Sequence, residues 1–163
     1  MAKNKEEKTN VMRVLEQKKI AYTAHTYPHE EGMAVDGVTV AQSMGFDPAI
    51  VFKTLVARGA SKQYYVFDVP VAENLDLKKA AKAVGEKFIE MIHQKELLPL
   101  TGYVHGGCSP VGMKKLFPTV IDASAENLET MIVSAGKIGY QVELAPHDLA
   151  ALVRAKFADI IVE

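Results

Sequence analysis

One lysine and one glycine-rich segment carry the residue types in this chain that could perform chemistry. Lys53 stands within residues 52–57, a predicted strand that is apolar on both faces. Because an ammonium group is almost never fully buried without a partner, Lys53 must reach water, pair with a carboxylate or line a pocket. The residue pattern of the strand by itself favours contact with water or with a carboxylate over a place in a pocket. In a pocket, the amine would be a positive charge, or a base of lowered pKa, facing a carbonyl, carboxylate or phosphate.

The glycine-rich segment, residues 102–122, reads as a long loop between two strands. Its paired glycines, Gly106 and Gly107, allow the backbone to approach a ligand closely and to present amide N–H groups to it. Pro110 removes one donor and stiffens the exit from the loop. We expect this loop to form one wall of a pocket, with the amine of Lys53 facing it.

Other candidates near this loop are weaker. Cys108 could be a nucleophile only beside a base such as His105, and a small loop residue is the favoured interpretation. Ser109 is not in a G-x-S-x-G elbow, and no Walker A or G-x-G-x-x-G pattern is present. The five histidines lack metal-ligand spacing, so we predict no metal site, and the absence of nucleotide-binding patterns gives no support for a dinucleotide cofactor. Lys114, which borders the loop, is a candidate substrate-binding residue that could contact a phosphate.

Composition limits the functional classes. A chain of 163 residues with 48% hydrophobic content predicts one globular domain, and no apolar run is long enough to span a bilayer. The charged N-terminus does not resemble a secretory signal, and the single cysteine fits a reducing compartment, so we expect a cytoplasmic protein. With a net charge of −1, any contact with nucleic acid must be local, weak or shared with a partner.

The elements that must position these residues alternate irregularly between helix and strand, without a βαβ rhythm, repeat or linker. Helices are predicted at 9–19, 36–44, 77–84, 94–98, 125–129 and 146–155. Strands are predicted at 20–27, 52–57, 63–69, 88–92, 103–104, 119–122, 131–134 and 140–144, with a last apolar stretch at 158–162. Together they predict a single α+β domain over 1–163, with a mixed, curved, barrel-like sheet surrounded by helices and a flexible tail at 1–8.

Several segments together resemble the YbaK family of bacterial Cys-tRNA(Pro) deacylases. These segments are HTYPH (25–29), VFKTL (51–55), LDLKKAAKAVG (75–85), GYVHGGCSPVGMKK with PTVID (102–122), SAGKIG (134–139) and AKFADI (155–160). The chain is also similar to the editing domain inserted in many bacterial prolyl-tRNA synthetases. The resemblance implies a mixed α/β domain built around a barrel-like sheet. It also implies a freestanding editing enzyme that cleaves misacylated tRNA.

The resemblance also implies roles for individual residues. The family's essential lysine corresponds to Lys53, and the backbone of its glycine loop corresponds to Gly106 and Gly107. The implied substrate-binding residues are Tyr27, Thr54, Ser109, Pro110, Ser134, Gly136 and Lys137. The chain departs from many members at Cys108, where a β-branched aliphatic residue is common, and at Ala135 and Ile138, where glycine and arginine are common. These departures leave the chemistry intact and the substrate preference open.

The mechanism that the resemblance implies uses the substrate's own nucleophile. The cysteine thiol attacks its ester carbonyl and leaves as a thiolactone, so chemistry rather than size separates cysteine from alanine or proline. Size alone discriminates poorly, because one methylene group is worth only about 1–3 kcal/mol. We expect amides near Gly106 and Gly107 to stabilise the carbonyl oxygen, Lys53 to orient the aminoacyl group or terminal adenosine, and Tyr27 to contact the terminal nucleotide.

Partners and alternatives follow from the same resemblance and from the charge. Because the chain is slightly acidic, we expect it to reach Cys-tRNA(Pro) in a transient complex with prolyl-tRNA synthetase. The sequence does not fix the oligomeric state, and a monomer is the working expectation. One alternative is a deacylase for another small amino acid, alanine or serine. Another is a non-catalytic regulator that binds a nucleotide or an amino acid.

Overall fold

A computed structural model describes residues 8–30 and 32–163, so residues 1–7 of the predicted tail lie outside the described residues. Within this part of the chain there are five helices: α1 (Asn10–Gln17), α2 (Gly37–Met44), α3 (Leu77–Val84), α4 (Gln94–Thr101) and α5 (Pro146–Val153). The strands are β1 (Thr23–Thr26), β2 (Phe52–Gly59), β3 (Tyr64–Pro70), β4 (Ile89–Met91), β5 (Thr119–Asp122), β6 (Met131–Ser134), β7 (Tyr140–Leu144) and β8 (Lys156–Ala158).

The strands form two sheets. One has five strands in the order β4-β2-β3-β5-β8, antiparallel from β4 to β3 and parallel from β3 to β8. The other is antiparallel, with the order β1-β7-β6. An isolated parallel bridge between Val51 and Ile132 connects them. The predicted α+β class with mixed pairing is confirmed, but the strands do not close into a barrel.

The predicted helices with clear end signals are confirmed. The Asp36 side chain accepts a hydrogen bond from the Thr39 amide at 3.2 Å and begins α2, which ends at Gly45 in the left-handed conformation. The Asp76 side chain begins α3 in the same way, and Gly85 ends it. These ends depend on contacts within a few residues, so they can be predicted from local sequence.

The helix predicted at 94–98 is longer in the structure, because α4 continues through Pro99 to Thr101. Proline removes its own N–H donor and crowds the carbonyl four residues before it, but it leaves the donors of later residues intact. Beyond it, the Gly102 amide donates to the Leu98 carbonyl at 2.8 Å, and the Thr101 hydroxyl donates to the Leu97 carbonyl at 2.8 Å. These bonds hold the last turn of the helix together.

Two further predictions beside the glycine loop are wrong. Residues 103–104 are not a strand, because the Tyr103 hydroxyl donates to the Val111 carbonyl at 2.5 Å and ties this segment to its own loop. The helix predicted at 125–129 is a 3₁₀ turn at Ala123–Ala125, which begins where the Asp122 side chain accepts from the Ser124 amide at 3.0 Å.

The last strand, β8, covers Lys156–Ala158 and overlaps the predicted apolar stretch 158–162 only at its first residue. Beyond it, the Ile160 amide donates to the buried Asp122 carboxylate at 3.0 Å, and Ile161 forms a single bridge to Leu75. A side-chain acceptor therefore takes the place of a strand partner.

Among the described residues, three hydrophobic clusters hold the sheets in place, and the smallest packs Ala41 of α2 with Val51 and Ile132, where the two sheets meet. The largest one includes Leu15 of α1, Val142 of β7 and Leu149 of α5, all with 0% exposure. The second packs Ala80 of α3 against Phe67 of β3. The described residues include no helix long and apolar enough to cross a membrane.

Candidate active site

A cavity of about 350 Å³ lies where the two sheets meet, a volume within the range of small-molecule sites. Residues 51–55 of β2 and its approach form one side, and Ser134 and Gln141 of the three-stranded sheet form another. Strand β4 pairs with residues 57–59 of β2, so it does not cover residues 51–55, the part of β2 and its approach that lines the cavity. The start of α2 and the glycine loop complete the walls.

The structure brings together five of the residues predicted for the site. Those that line the cavity are Tyr27, Lys53, Thr54, Gly106 and Ser134. The remaining predicted residues are not among those that line it, namely Gly107, Ser109, Pro110, Lys114, Gly136 and Lys137. The catalytic and binding roles of all these residues remain predictions.

Lys53 supplies an amine to the cavity. Its side chain is half-buried and makes no hydrogen bond or ion pair with residues 8–30 or 32–163. Burial lowers the pKa of this amine, while the negative charges of Asp36 and Glu73 act in the opposite direction. Of the alternatives that the sequence left open, the structure therefore fits a lysine that lines a pocket.

The glycine loop needs its paired glycines for two different reasons. Gly106 has a φ of 91°, and a Cβ atom placed there would lie 2.7 Å from the Cβ of Ala34. Gly107 packs against a second turn, where an added Cβ would lie 3.1 Å from the Ile138 nitrogen. Glycine at both positions therefore allows the loop to pack closely against Ala34 on one side and the backbone at 137–138 on the other.

The amides of this loop are not equivalent. The Gly107 amide donates to the Val104 carbonyl at 2.9 Å, so it is already committed to a turn. The amides of Gly106 and Cys108 donate to no acceptor in the described part of the chain, and both residues line the cavity. If amides of this loop stabilise an oxyanion, the available donors are those of Gly106 and Cys108 rather than that of Gly107.

Several of the remaining predicted residues have structural contacts. The buried Ser109 hydroxyl accepts from the Val111 amide at 3.2 Å, and the Ser134 hydroxyl accepts from the Gly136 amide at 3.1 Å. The exposed Lys114 donates to the Pro99 carbonyl at 3.3 Å. The Lys137 ammonium lies 5.4 Å from the centre of the Tyr140 ring. Pro110 is buried within the loop.

Asp68 is a feature of the site that the sequence reasoning missed. It lies on β3 with 0% exposure, and its Oδ1 accepts a hydrogen bond from the Thr54 hydroxyl at 2.6 Å. Its Oδ2 has no partner within the described residues. Burial raises the pKa of Asp68 to about 7, although the Thr54 bond acts to lower it. One charged residue within the apolar stretch Tyr64–Pro70 was the signal that could have revealed it.

Cys108 is an inert thiol. It is buried, and burial first and the negative charge of Asp68 second raise its pKa to about 12. A thiol with that pKa supplies almost no thiolate at neutral pH. The structure therefore agrees with the interpretation of Cys108 as a small loop residue rather than a nucleophile.

Gln141 was also missed. It lies on β7 with 6% exposure and lines the cavity, and its Oε1 has no partner within the described residues. Because a buried acceptor left unpaired costs about 1–3 kcal/mol, this oxygen is available to a donor on a bound ligand. No local signal distinguishes this glutamine from an ordinary polar residue in an alternating strand.

The chain is similar to proteins of a known family over most of its length. Residues 29–152 match the model of the aminoacyl-tRNA editing domain. This chain belongs to that family. A protein of Enterococcus faecalis, provisionally named Cys-tRNA(Pro)/Cys-tRNA(Cys) deacylase EbsC, is 45% identical over 161 residues, which cover 98% of each chain. The predicted family is therefore confirmed, and so is the predicted enzyme class, an aminoacyl-tRNA deacylase.

Solved structures agree with this assignment. A crystal structure described provisionally as a trans-editing enzyme for prolyl-tRNA synthetase is 26% identical, with a TM-score of 0.78 over 94% of this chain and 95% of that one. The crystal structure of the hypothetical protein APE2540 has a TM-score of 0.82 at 19% identity, covering 93% of this chain and 99% of the other. The second likeness shows the fold alone.

Proposed function

We propose that this protein is a freestanding, trans-editing deacylase that removes cysteine from tRNA(Pro), with the substrate's own thiol as the nucleophile. The observation that carries this proposal is the cavity itself. Lys53 and Gly106 line the same space although some fifty residues separate them in sequence, and within the described residues the Lys53 amine has no partner and the Gly106 amide has no acceptor. The name of the Enterococcus faecalis relative supports cysteine as the amino acid.

Each step of the proposed reaction needs a different part of the cavity. The thiol attacks the ester carbonyl, and negative charge develops on the carbonyl oxygen. The amides of Gly106 and Cys108 are the donors available to this oxygen, and the Lys53 ammonium adds a positive potential. Because the attack is intramolecular, holding the aminoacyl group in the reactive conformation lowers the barrier by several kcal/mol.

The remaining cavity residues suit the terminal nucleotide. Tyr27 is buried with 5% exposure, so its ring offers a fixed apolar surface beside the cavity. In this proposal Tyr27 contacts the terminal adenosine, while Thr54 and Ser134 bind polar groups of the aminoacyl ester. Lys114 and Lys137 are exposed outside the cavity, where they contact tRNA phosphates further from the ester.

Partners follow from the charge of the chain. With a net charge of −1, the protein lacks the overall positive charge typical of proteins that bind a whole tRNA tightly. We therefore propose that it acts in the cytoplasm in a transient complex with prolyl-tRNA synthetase and the mischarged tRNA. Crosslinking of the three components, compared with each pair, tests this complex. Equal crosslinking of the deacylase to tRNA with and without the synthetase contradicts it.

A panel of mischarged tRNAs tests the substrate and the mechanism together. Cys-tRNA(Pro) should be cleared, whereas Ala-tRNA(Pro) and an S-methylcysteine analogue should persist, because neither has a free thiol. Rapid clearance of the analogue would contradict thiol attack, and preference for the alanine or serine ester would favour a different small-amino-acid deacylase.

Lys53→Ala tests the site. We expect the deacylation rate to fall by about 10²-fold or more, since a preorganised charge is lost from the cavity. Lys87→Ala is the matched control, because it removes an exposed lysine elsewhere on the surface. Similar rates for the two variants would show that the cavity amine has no role.

A further inference from the structure

Asp68 is a buried titratable group that the mechanism above does not use. In the pairing of β2 with β3, Thr54 lies opposite Asp68 and Lys53 lies opposite Val69. Directly opposed residues share a face of the sheet, and successive residues alternate. Asp68 therefore lies on the same face as Thr54 and on the opposite face from the Lys53 amine, so the nearby lysine cannot neutralise it.

The surroundings of Asp68 contain little that balances its charge. From β2 the Thr54 hydroxyl donates to it, and from the glycine loop the Cys108 thiol is close enough to feel its charge. No salt bridge to Asp68 exists within residues 8–30 and 32–163. Burying a carboxyl group with one oxygen unpaired is costly. An apolar side chain would fill this place in the core without that cost, which points to a use for the acid.

Thr54 connects this acid to the cavity. It lines the cavity, and its hydroxyl proton is already directed to Asp68 across a 2.6 Å hydrogen bond. The Thr54 oxygen therefore keeps its lone pairs for a donor on the substrate. A proton that reaches this oxygen can be matched by transfer of the threonine proton to the carboxylate.

We propose that Thr54 and Asp68 form a proton relay in which Asp68 accepts, through the Thr54 hydroxyl, the proton that the attacking thiol loses. This inference rests on the proposed thiol mechanism. Because Asp68 does not line the cavity, it acts through Thr54, and Thr54 is the member that touches the substrate.

In this relay the thiol proton moves to Thr54 Oγ1 while the threonine proton moves to Asp68 Oδ1, and the electron pair left on sulfur forms the C–S bond. The carbonyl pair moves to oxygen and returns as the C–O bond to the ribose breaks. The proton then passes back through Thr54 to the ribose oxygen, which restores the carboxylate. A pKa of about 7 suits an acid that must accept and release a proton near neutral pH.

Single-turnover deacylation of Cys-tRNA(Pro) between pH 5.5 and 8.5 tests the relay, after subtraction of spontaneous ester hydrolysis. The variants are Asp68→Asn, which keeps the shape of the side chain, Thr54→Val, which removes the hydroxyl, and Thr54→Ser, which keeps it. We expect Asp68→Asn and Thr54→Val to lose about 10²–10⁴-fold in rate, the usual contribution of general acid–base catalysis. We expect Thr54→Ser to stay within about tenfold of the wild type, since the relay needs only the hydroxyl.

The pH profile separates a relay from a structural role. The wild-type rate should rise as Asp68 ionises near pH 7, and this rise should be missing in Asp68→Asn. An Asp68→Asn variant with the wild-type profile would refute the relay, whether or not its rate is lower. Equal rates for Thr54→Val and Thr54→Ser would also refute it. A wild-type protein that does not cleave Cys-tRNA(Pro) would instead refute the proposed function, and the relay with it.

Discussion

Replacing Asp68 with asparagine should change how the stability of this protein depends on pH. The pKa of Asp68 rises from 3.8 to about 7 in the folded protein, so the folded state binds the proton more tightly than the unfolded chain does. Stability is therefore greatest below the unfolded pKa and falls as the pH rises towards 7. The difference between these two pKa values corresponds to a loss of about 4 kcal/mol in the free energy of unfolding at high pH.

Most of this loss falls in an accessible range. Integrating the linkage between pH 5 and pH 8 gives a decrease of about 2.5 kcal/mol that the wild type shows and Asp68→Asn does not. Other titrating groups are the same in both proteins and cancel in the difference. The expected result is a stability difference, variant minus wild type, that grows by about 2.5 kcal/mol over these three pH units.

Urea unfolding followed by circular dichroism at pH 5, 6, 7 and 8 measures this difference. Glu129→Gln is the matched control, because it neutralises an exposed carboxylate, and its difference from the wild type should stay nearly constant. A constant difference for Asp68→Asn as well, within about 0.5 kcal/mol, would refute the raised pKa and with it the buried, unpaired carboxyl.

Three further substitutions address the walls of the cavity. Gly106→Ala should lower both the deacylation rate and the stability of the fold, because the φ of Gly106 is 91° and the added Cβ would meet Ala34. We expect the free energy of unfolding in urea to fall by about 1–3 kcal/mol, and an unchanged value would contradict this geometry. Cys108→Ala should deacylate at nearly the wild-type rate, because its thiol pKa is about 12, and wild-type Cys108 should react slowly with iodoacetamide at pH 8. Gln141→Leu should raise KM for the charged tRNA more than it lowers kcat, because the Gln141 oxygen can bind the ligand equally in the ground state and the transition state. A loss of kcat with KM unchanged would contradict this binding role.

The parts of the fold that depend on short-range signals could be predicted from the sequence. Asp36 and Asp76 begin helices, and Gly45 and Gly85 end them, because each acts on backbone groups within a few residues. The α4 helix could not be bounded in this way. Its continuation past Pro99 depends on bonds made after the proline, and proline alone predicts a stop.

The family resemblance identified Tyr27, Thr54 and Ser134 as site residues, whereas the residue pattern alone indicated the site only where a residue looked out of place in its own segment. Lys53 was out of place as a charged residue in an apolar strand, and Gly106 and Gly107 stood out as adjacent glycines in a long loop. Asp68 was equally out of place, but its partner could not be identified without the strand register. An acid and a lysine on neighbouring strands suggest an ion pair, whereas the register places Asp68 opposite Thr54 and so separates the two charges by the thickness of the sheet.

The single bridge between Val51 and Ile132 has a consequence for how substrate choice could evolve. The walls of the cavity belong to two sheets that share one backbone bridge in the described part of the chain and otherwise meet through packed side chains. A change in the angle between these sheets alters the width of the opening while every residue that meets the substrate stays the same. Substitutions deep in the hydrophobic interior, far from the ester, could therefore retune selectivity without touching the chemistry.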